Sequence, residues 1–351
     1  MEKTEKKKWS KKKKIIVAVL LLICVAVAGL ELRDTVSSYT DAYPQSDING
    51  FIAWGAGGAT DTVSRTLSVY AARELGVNIV LQNKPGATGA IATEFVKNQK
   101  NDGYSLLFNA ENPPLYKVMN ISNVDYDDFY PVILISQQTP VLVVKSDSDL
   151  NSIKDVIDAA QAKPGTVKLA TTGIGGLPAN VAAMLEGTSH VTFNQIPFDG
   201  DSAALTAIMG GHADVSVINY SVAMDYAAEG SVKIICVLAN ERLASAPDVE
   251  TISEVYPEYA KYFPWGAFVG VYIRDDCPDR VKETLTAAFR KAWENPEFQE
   301  YLETNHILPL GYSGEEARAY IGKWQQVTTW LLDDAGVTEY SPAKYGILRL
   351  E

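Results

Sequence analysis

Short apolar segments alternate along this chain with longer segments in which apolar residues recur every three or four positions. The first pattern predicts buried β-strands, and the second predicts amphipathic α-helices. Val63, Leu67, Ala71 and Leu75 fall on one face of such a helix, and Gly76 follows where glycine commonly ends one. Strands that alternate with helices are typical of α/β proteins with parallel sheets.

Ten strands are predicted, and the last third of the chain is predicted to be mostly helical. The predicted strands are residues 48–54, 78–82, 105–109, 132–136, 141–144, 167–171, 192–197, 215–218, 233–238 and 267–273. The predicted C-terminal helices are residues 281–294, 296–305 and 314–336. A chain of 351 residues is long enough for about two domains, each with its own core.

The N-terminus has the pattern of an export segment. Lysines crowd the first fourteen residues, and residues 15–30 are apolar and uncharged. Such a run would extend about 24 Å as a helix, less than the ~30 Å core of a bilayer. Residues 26–28 (AVA) offer a cleavage site, so a cleaved signal, an uncleaved anchor and a lipoprotein linked through Cys24 all stay open. Each places the folded part outside the cytoplasm, behind a polar tether at residues 31–46.

Charge and cysteine content exclude several classes of protein. The net charge is −12, and it is more negative still without the basic N-terminus, which argues against nucleic-acid binding. An acidic surface still permits an anionic ligand, because a cleft can use backbone dipoles. No CxxC motif occurs, and Cys236 and Cys277 either pair outside the cell or are buried free thiols.

Motifs of catalysis are missing from the sequence. The three histidines are scattered, and HExxH, P-loop and GxSxG patterns are absent. The segment after the first strand nearly fits GxGxxG, but it lacks the third glycine, and no acid for a ribose follows the next strand. We therefore expect a protein that is not an enzyme, with no catalytic residue, no metal site and no cofactor.

Three glycine-rich loops each follow a predicted strand and open a predicted helix. They are residues 54–61, 171–178 and 197–202. Glycine lets backbone N–H groups approach a ligand closely, and the start of a helix favours negative charge. Together the loops predict an anion-binding cleft.

Several segments resemble the substrate-binding proteins of tripartite tricarboxylate transporters, also called the Bug family. These segments are WGAGGATD (54–61), NKPGATGAI (83–91), DGYSLL (102–107), ALTAIMGGHAD (204–214), APDVET (246–251) and WGAF (265–268). The resemblance covers roughly residues 48–337, nearly all of the part that would be exported.

The resemblance implies a periplasmic-binding-protein-like fold of type II, an α/β fold with two lobes and a ligand cleft between them. Residues 47–142 and 263–351 would form the first lobe, and residues 143–262 the second. The implied function is an extracytoplasmic, monomeric receptor that captures a small organic acid and delivers it to the membrane subunits of a tripartite transporter. An exported sensor that feeds a signalling receptor is the alternative.

In the family, backbone N–H groups and bridging waters at the first two loops hold a carboxylate. The positions that match are Ala56, Gly57, Gly58, Thr60, Asp61, Thr172, Gly173 and Gly175. Trp54, Phe198 and Asp199 complete the candidate binding site. Trp54 and Trp265 are also candidates for core packing, and Asp61 for the first turn of its helix.

This chain departs from the family pattern in ways that bear on the ligand. Ala56 replaces a usual Pro, Gly176 and Ala179 replace a usual Ser and His, and Asp199 stands where Lys is frequent. Asp199 and Asp201 would repel additional negative charge, which predicts a ligand with one carboxylate, or one that also carries an amino group, rather than a tricarboxylate. Alternatively, both aspartates face solvent and cap the next helix.

Overall fold

The computed structural model describes residues 43–263 and 265–349, which from Ser46 onward belong to one compact unit. The predicted export segment and most of the predicted tether lie outside the described residues. Within the described ranges, no helix combines the length and the apolar character needed to cross a membrane.

All ten predicted strands are present, with boundaries that differ by a few residues, and one strand was not predicted. The strands are β1 (Ile48–Ile52), β2 (Ile79–Asn83), β3 (Ser105–Asn109), β4 (Phe129–Gln137), β5 (Pro140–Lys145), β6 (Lys168–Thr171), β7 (Asn194–Pro197), β8 (Val215–Asn219), β9 (Val232–Val237), β10 (Phe268–Arg274) and β11 (Leu308–Tyr312). The sequence of β11 contains Pro309 and Gly311, which weaken a strand pattern. Both are tolerated because β11 lies at the edge of its sheet.

The strands form two mixed sheets, so the prediction of parallel sheets was wrong for part of each. The first sheet has the order β11-β4-β10-β3-β1-β2, and the second has the order β7-β6-β8-β5-β9. β1 is parallel to β2 and β3, and β6 is parallel to β7 and β8. β10 and β5 are antiparallel to their neighbours, because each begins where the chain enters a sheet from the other one.

Helices cover the sheets, and the three predicted C-terminal helices are present within two residues of their expected bounds. The helices are α1 (Ala59–Leu75), α2 (Ala90–Lys97), α3 (Ile153–Ala162), α4 (Leu177–Ser189), α5 (Asp201–Met209), α6 (Tyr220–Ala228), α7 (Ile252–Val255), α8 (Asp279–Trp293), α9 (Pro296–Thr304) and α10 (Gly314–Asp334). In α1, Val63, Leu67 and Ala71 are fully buried, as their spacing predicts. Gly76 ends this helix in a left-handed conformation with φ 70°.

The chain crosses between the sheets at two places that touch each other. Gln138 and Thr139 join β4 to β5, and the backbone N–H of Gln138 donates to the carbonyl of Ala267, just before β10, at 2.7 Å. A Cβ atom at Gly266 would lie 2.3 Å from the carbonyl oxygen of Gln138, so only glycine permits this approach. The expected boundary at residue 143 falls inside β5, which pairs wholly within the second sheet. We therefore propose lobe boundaries at Gln138 and at residues 263–267.

Cys236 and Cys277 are both buried and are not bonded to each other. Of the two states that the sequence left open, the structure has the free thiols.

Truncation of a buried side chain on α1 tests the assignment of its core face. We expect Leu67→Ala to lower the free energy of unfolding by about 2–5 kcal/mol, because the side chain is fully buried. Val69→Ala on the same helix is the control, since Val69 is 52% exposed and should change stability by about 0.5 kcal/mol or less. Urea unfolding measures both, and equal losses would contradict the assignment.

Candidate functional site

The carboxyl ends of strands from both sheets face one gap, which contains a cavity of about 40 Å³, here called the inner cavity. From the first sheet and its connections it is lined by Trp54, Gly58, Ala59, Thr60, Ala110, Glu111, Asn112, Gln138, Ala267 and Val269. From the second sheet and its connections it is lined by Thr172, Leu177, Pro178, Gly200, Asp201 and Asn219. All three glycine-rich loops therefore contribute to one cavity.

A second cavity, the outer cavity, lies beside Trp54 and Thr172, which line both. Its other lining residues are Gly86, Ala87, Thr88, Ile121, Gly173, Ile174, Pro197, Phe198 and Asp199. Hydrogen bonds join the loops of the two sheets here. The backbone N–H of Gly55 donates to the carbonyl of Asp199 at 2.9 Å, and the Thr88 hydroxyl donates to the carbonyl of Ile174 at 2.8 Å. These contacts hold the gap closed.

The Asp61 carboxylate holds the first glycine-rich loop, residues 54–61, in place through hydrogen bonds. Its carboxylate accepts hydrogen bonds from the backbone N–H of Gly57 at 2.9 Å, from Asn83 Nδ2 at 2.7 Å and from Arg65 Nε at 2.8 Å. Asn83 Nδ2 also donates to the carbonyl of Trp54 at 2.9 Å, so both ends of the loop are tied to one amide. The Asp61 side chain is buried but does not line either cavity.

The structure separates the predicted site residues into three groups. Those that line the inner cavity are Trp54, Gly58, Thr60 and Thr172. Those that line only the outer cavity are Gly173, Phe198 and Asp199. Those that line neither are Ala56, Gly57, Asp61 and Gly175, of which Ala56 and Gly57 are exposed.

The two tryptophans with alternative roles have different positions. Trp54 lines both cavities, and its Nε1 donates to Asn109 Oδ1 at 3.1 Å. Trp265 lies in the core, where its Nε1 donates to Thr328 Oγ1 at 2.9 Å and its ring stacks on Trp324. The two aspartates of the third loop also differ, since Asp199 is exposed and Asp201 is 8% exposed inside the inner cavity.

Glu111 is the main residue of the cavity that the sequence interpretation missed. It follows β3 by two residues, and β3 pairs in parallel with β1, so both strands end at the same edge of the sheet. This segment contains no glycine, so it does not have the pattern of the three glycine-rich loops. An acidic residue directly after a buried strand that neighbours the first loop is the signal that would have found it.

The inner cavity contains two buried carboxyl groups. Burial raises the pKa of Glu111 to about 8, and the nearby Asp201 adds to the increase. Burial likewise raises the pKa of Asp201 to about 6, although the Asn219 amide and the backbone N–H of Ala59 favour its charged form. Lys, Arg and His are absent from the described lining, so no side chain there compensates these charges.

These raised pKa values predict how stability depends on pH. The folded state binds protons more tightly than the unfolded state at both groups, so their contribution to stability is present at low pH and is lost as pH rises through about 6 and about 8. Glu111→Gln should therefore flatten the decrease of the melting temperature between about pH 5 and 8.5. Differential scanning fluorimetry of the ligand-free protein at constant ionic strength measures this.

The exposed helical residue Glu300 provides the control for this experiment, and Glu300→Gln should keep the wild-type slope. A wild-type slope in Glu111→Gln would contradict the burial of an ionisable group at this position.

The sequence is similar to a family of transporter receptors and to several of its members. The model of the tripartite tricarboxylate transporter family receptor, TctC, matches residues 63–330. BugT of Bordetella pertussis is 25% identical over 327 residues, which cover 92% of this chain and 96% of that protein. A UPF0065 protein from the gbd 5′ region of Cupriavidus necator is 28% identical over 324 residues, which cover 90% and 96%.

Solved structures show the same fold. The periplasmic binding protein BugD superposes with a TM-score of 0.78 at 25% identity, covering 84% of this chain and 99% of that one. MatC from Rhodopseudomonas palustris, solved with malate, gives a TM-score of 0.75 at 22% identity, covering 84% and 100%. The expected two-lobed periplasmic-binding-protein fold is confirmed. Since the family model spans well over half of the chain, the protein belongs to the tripartite tricarboxylate transporter receptor family, the TctC or Bug family of solute-binding proteins.

Proposed function

We propose that this protein is an extracytoplasmic receptor that captures a small organic solute with a carboxylate group in the inner cavity. In this proposal it then delivers the solute to the membrane subunits of a tripartite transporter. The observation that carries the proposal is the inner cavity between the two sheets, at which helices α1 and α4 both begin. The basic and apolar N-terminal segment supports export, and the family supports the link to transport.

The starts of two helices provide positive electrostatic potential where side-chain cations are missing. Gly58, Ala59 and Thr60 bring the start of α1 to the cavity, and Leu177 and Pro178 bring the start of α4. Unpaired N–H groups at a helix start attract anions, and the helix dipole adds to this attraction. We place the ligand carboxylate in this region, within reach of backbone N–H groups and of water-mediated contacts.

The remaining predicted residues have supporting roles in this proposal. Trp54 and Thr172 line both cavities, and Gly173, Phe198 and Asp199 line the outer cavity. Asp61 acts on the ligand through the shape of the first loop. Since the loops of both sheets are hydrogen-bonded to each other, the gap must open before a solute enters or leaves.

Calorimetric titration with malate, adipate, succinate, citrate, nicotinate, aspartate and glutamate tests the proposed class of ligand. Malate and adipate are included because two proteins of this fold were solved with them. Absence of binding by any carboxylic acid would contradict the proposal.

A side chain at Gly58 should block the approach of the carboxylate to the start of α1. A Cβ atom there meets only ordinary contacts, with a nearest atom at 3.6 Å, so Gly58→Val should fold but weaken ligand binding by at least about tenfold. Gly322→Val is the matched control, because a Cβ atom at that helical glycine has no neighbour within 4 Å. Equal affinity of both variants for the ligand would place the carboxylate elsewhere.

Entry of a ligand between loops that are hydrogen-bonded across the gap requires a change between open and closed states. We expect small-angle scattering to show a smaller radius of gyration after saturation with a ligand found by calorimetry, because contacts such as Gly55 to Asp199 then form in the whole population. Bovine serum albumin with the same ligand controls for changes of the buffer. A radius that does not change at saturation would contradict hinge closure.

A further inference from the structure

Four buried polar atoms of the inner cavity have no hydrogen-bond partner among the described residues. They are Glu111 Oε2, Asn112 Oδ1, Gln138 Nε2 and Asn219 Oδ1. The exposed fractions of these residues are 2%, 1%, 1% and 7%. Folded proteins rarely leave buried polar atoms unpaired, and four such atoms on residues that line one cavity are a set that water or a ligand can satisfy.

The hydrogen bonds of each amide show which of its two polar atoms is left unpaired. Asn112 Nδ2 donates to the carbonyl of Gly175 at 2.7 Å, and Asn219 Nδ2 donates to Asp201 Oδ2 at 2.9 Å. Both amides therefore leave their oxygen atoms free. Gln138 is the opposite case, because its Oε1 accepts from the hydroxyl of Ser221 at 2.9 Å and its Nε2 is left without an acceptor. The unpaired set thus has three oxygen atoms and one nitrogen donor.

The charge of the lining agrees with this excess of acceptors. Glu111 belongs to the first lobe and Asp201 to the second, so closure brings two carboxyl groups into one cavity without a cationic side chain. Burial of an uncompensated charge is unfavourable, which is why the pKa values of both groups are raised. A positive group of the ligand would remove this cost.

We propose that the ligand carries a primary ammonium group in addition to its carboxylate, and that Glu111, Asn112 and Asn219 accept its hydrogen bonds. An ammonium group has three donors and one positive charge, which matches the three free oxygen atoms and the acidic lining. The ligand is then a small amino acid, with its carboxylate near Gln138 Nε2 and the helix starts. This inference rests on the proposed function and names the ligand class of the same cavity.

Three matched series of acids test the proposal on the full-length protein by calorimetry. Each series keeps the carbon skeleton and changes one substituent from ammonium to hydroxyl to hydrogen. The series are aspartate, malate and succinate; glutamate, 2-hydroxyglutarate and glutarate; alanine, lactate and propionate. In any series that binds, we expect the amino acid to bind at least about tenfold more tightly than the other two members, since a charge-assisted hydrogen bond in a buried site is worth at least that factor.

The variant Glu111→Gln tests the residue itself. It keeps the shape of the side chain but removes the negative charge, so it should weaken binding of the amino acid at least about tenfold and leave the hydroxy acid and the unsubstituted acid unchanged or tighter. Glu300→Gln on the exposed face of α9 should match the wild type for all ligands. The wild-type series decides the question even if Glu111→Gln does not fold.

The outcomes separate this inference from the proposed function. A hydroxy acid or unsubstituted acid that binds as tightly as its amino counterpart overturns the inference and leaves the carboxylate receptor intact. Equal losses for all members of a series in Glu111→Gln also overturn it, because the residue would then only support the cavity. If no acid of any series binds, the inference fails, and the proposed function fails as well when adipate, citrate and nicotinate also do not bind.

Discussion

The direction of the strands at the gap is the constraint on which the rest of this structure depends. A strand that runs parallel to its neighbours ends at the same edge as they do, and the helix after it begins there. In both sheets this edge faces the same gap. β5 and β10 run in the opposite direction, since each starts at a crossing between the sheets and leads away from the gap. The starts of α1, α4 and α5 consequently meet around one small cavity.

Closure of this gap has opposing electrostatic effects. The starts of the helices favour negative charge, whereas burial of Glu111 and Asp201 disfavours it. Asp201 is placed close to the start of α1, where a Cβ atom on Gly58 would lie 3.8 Å from its backbone nitrogen. The carboxyl group of Asp201, from the second sheet, therefore lies near the start of α1, where the sequence predicts a bound ligand. A ligand in the inner cavity must fit both the positive potential of the helix starts and the negative potential of the Glu111 and Asp201 carboxyl groups.

The first loop shows how a glycine-rich segment gains a defined shape. Asp61 and Asn83 fix it through hydrogen bonds to Gly57 and Trp54, while Arg65 neutralises Asp61 from the outer side. This network lies within the first sheet and its connections. The contacts of Gly55 and Thr88, in contrast, join the loops of the two sheets.

The sequence by itself determined the strands, the long helices, the family and the loops that reach the gap, since these follow from local periodicity and from glycine at the ends of strands. It did not determine the direction of β5 and β10 or the presence of β11, because pairing between distant segments has no local signal. The alternative that both Asp199 and Asp201 face solvent was wrong for the same reason, since Asp201 is buried and only Asp199 is exposed. Only the tertiary structure placed Glu111, Asn112, Gln138 and Asn219 around one cavity, because they come from four separate segments whose side chains meet only when the two sheets are packed face to face.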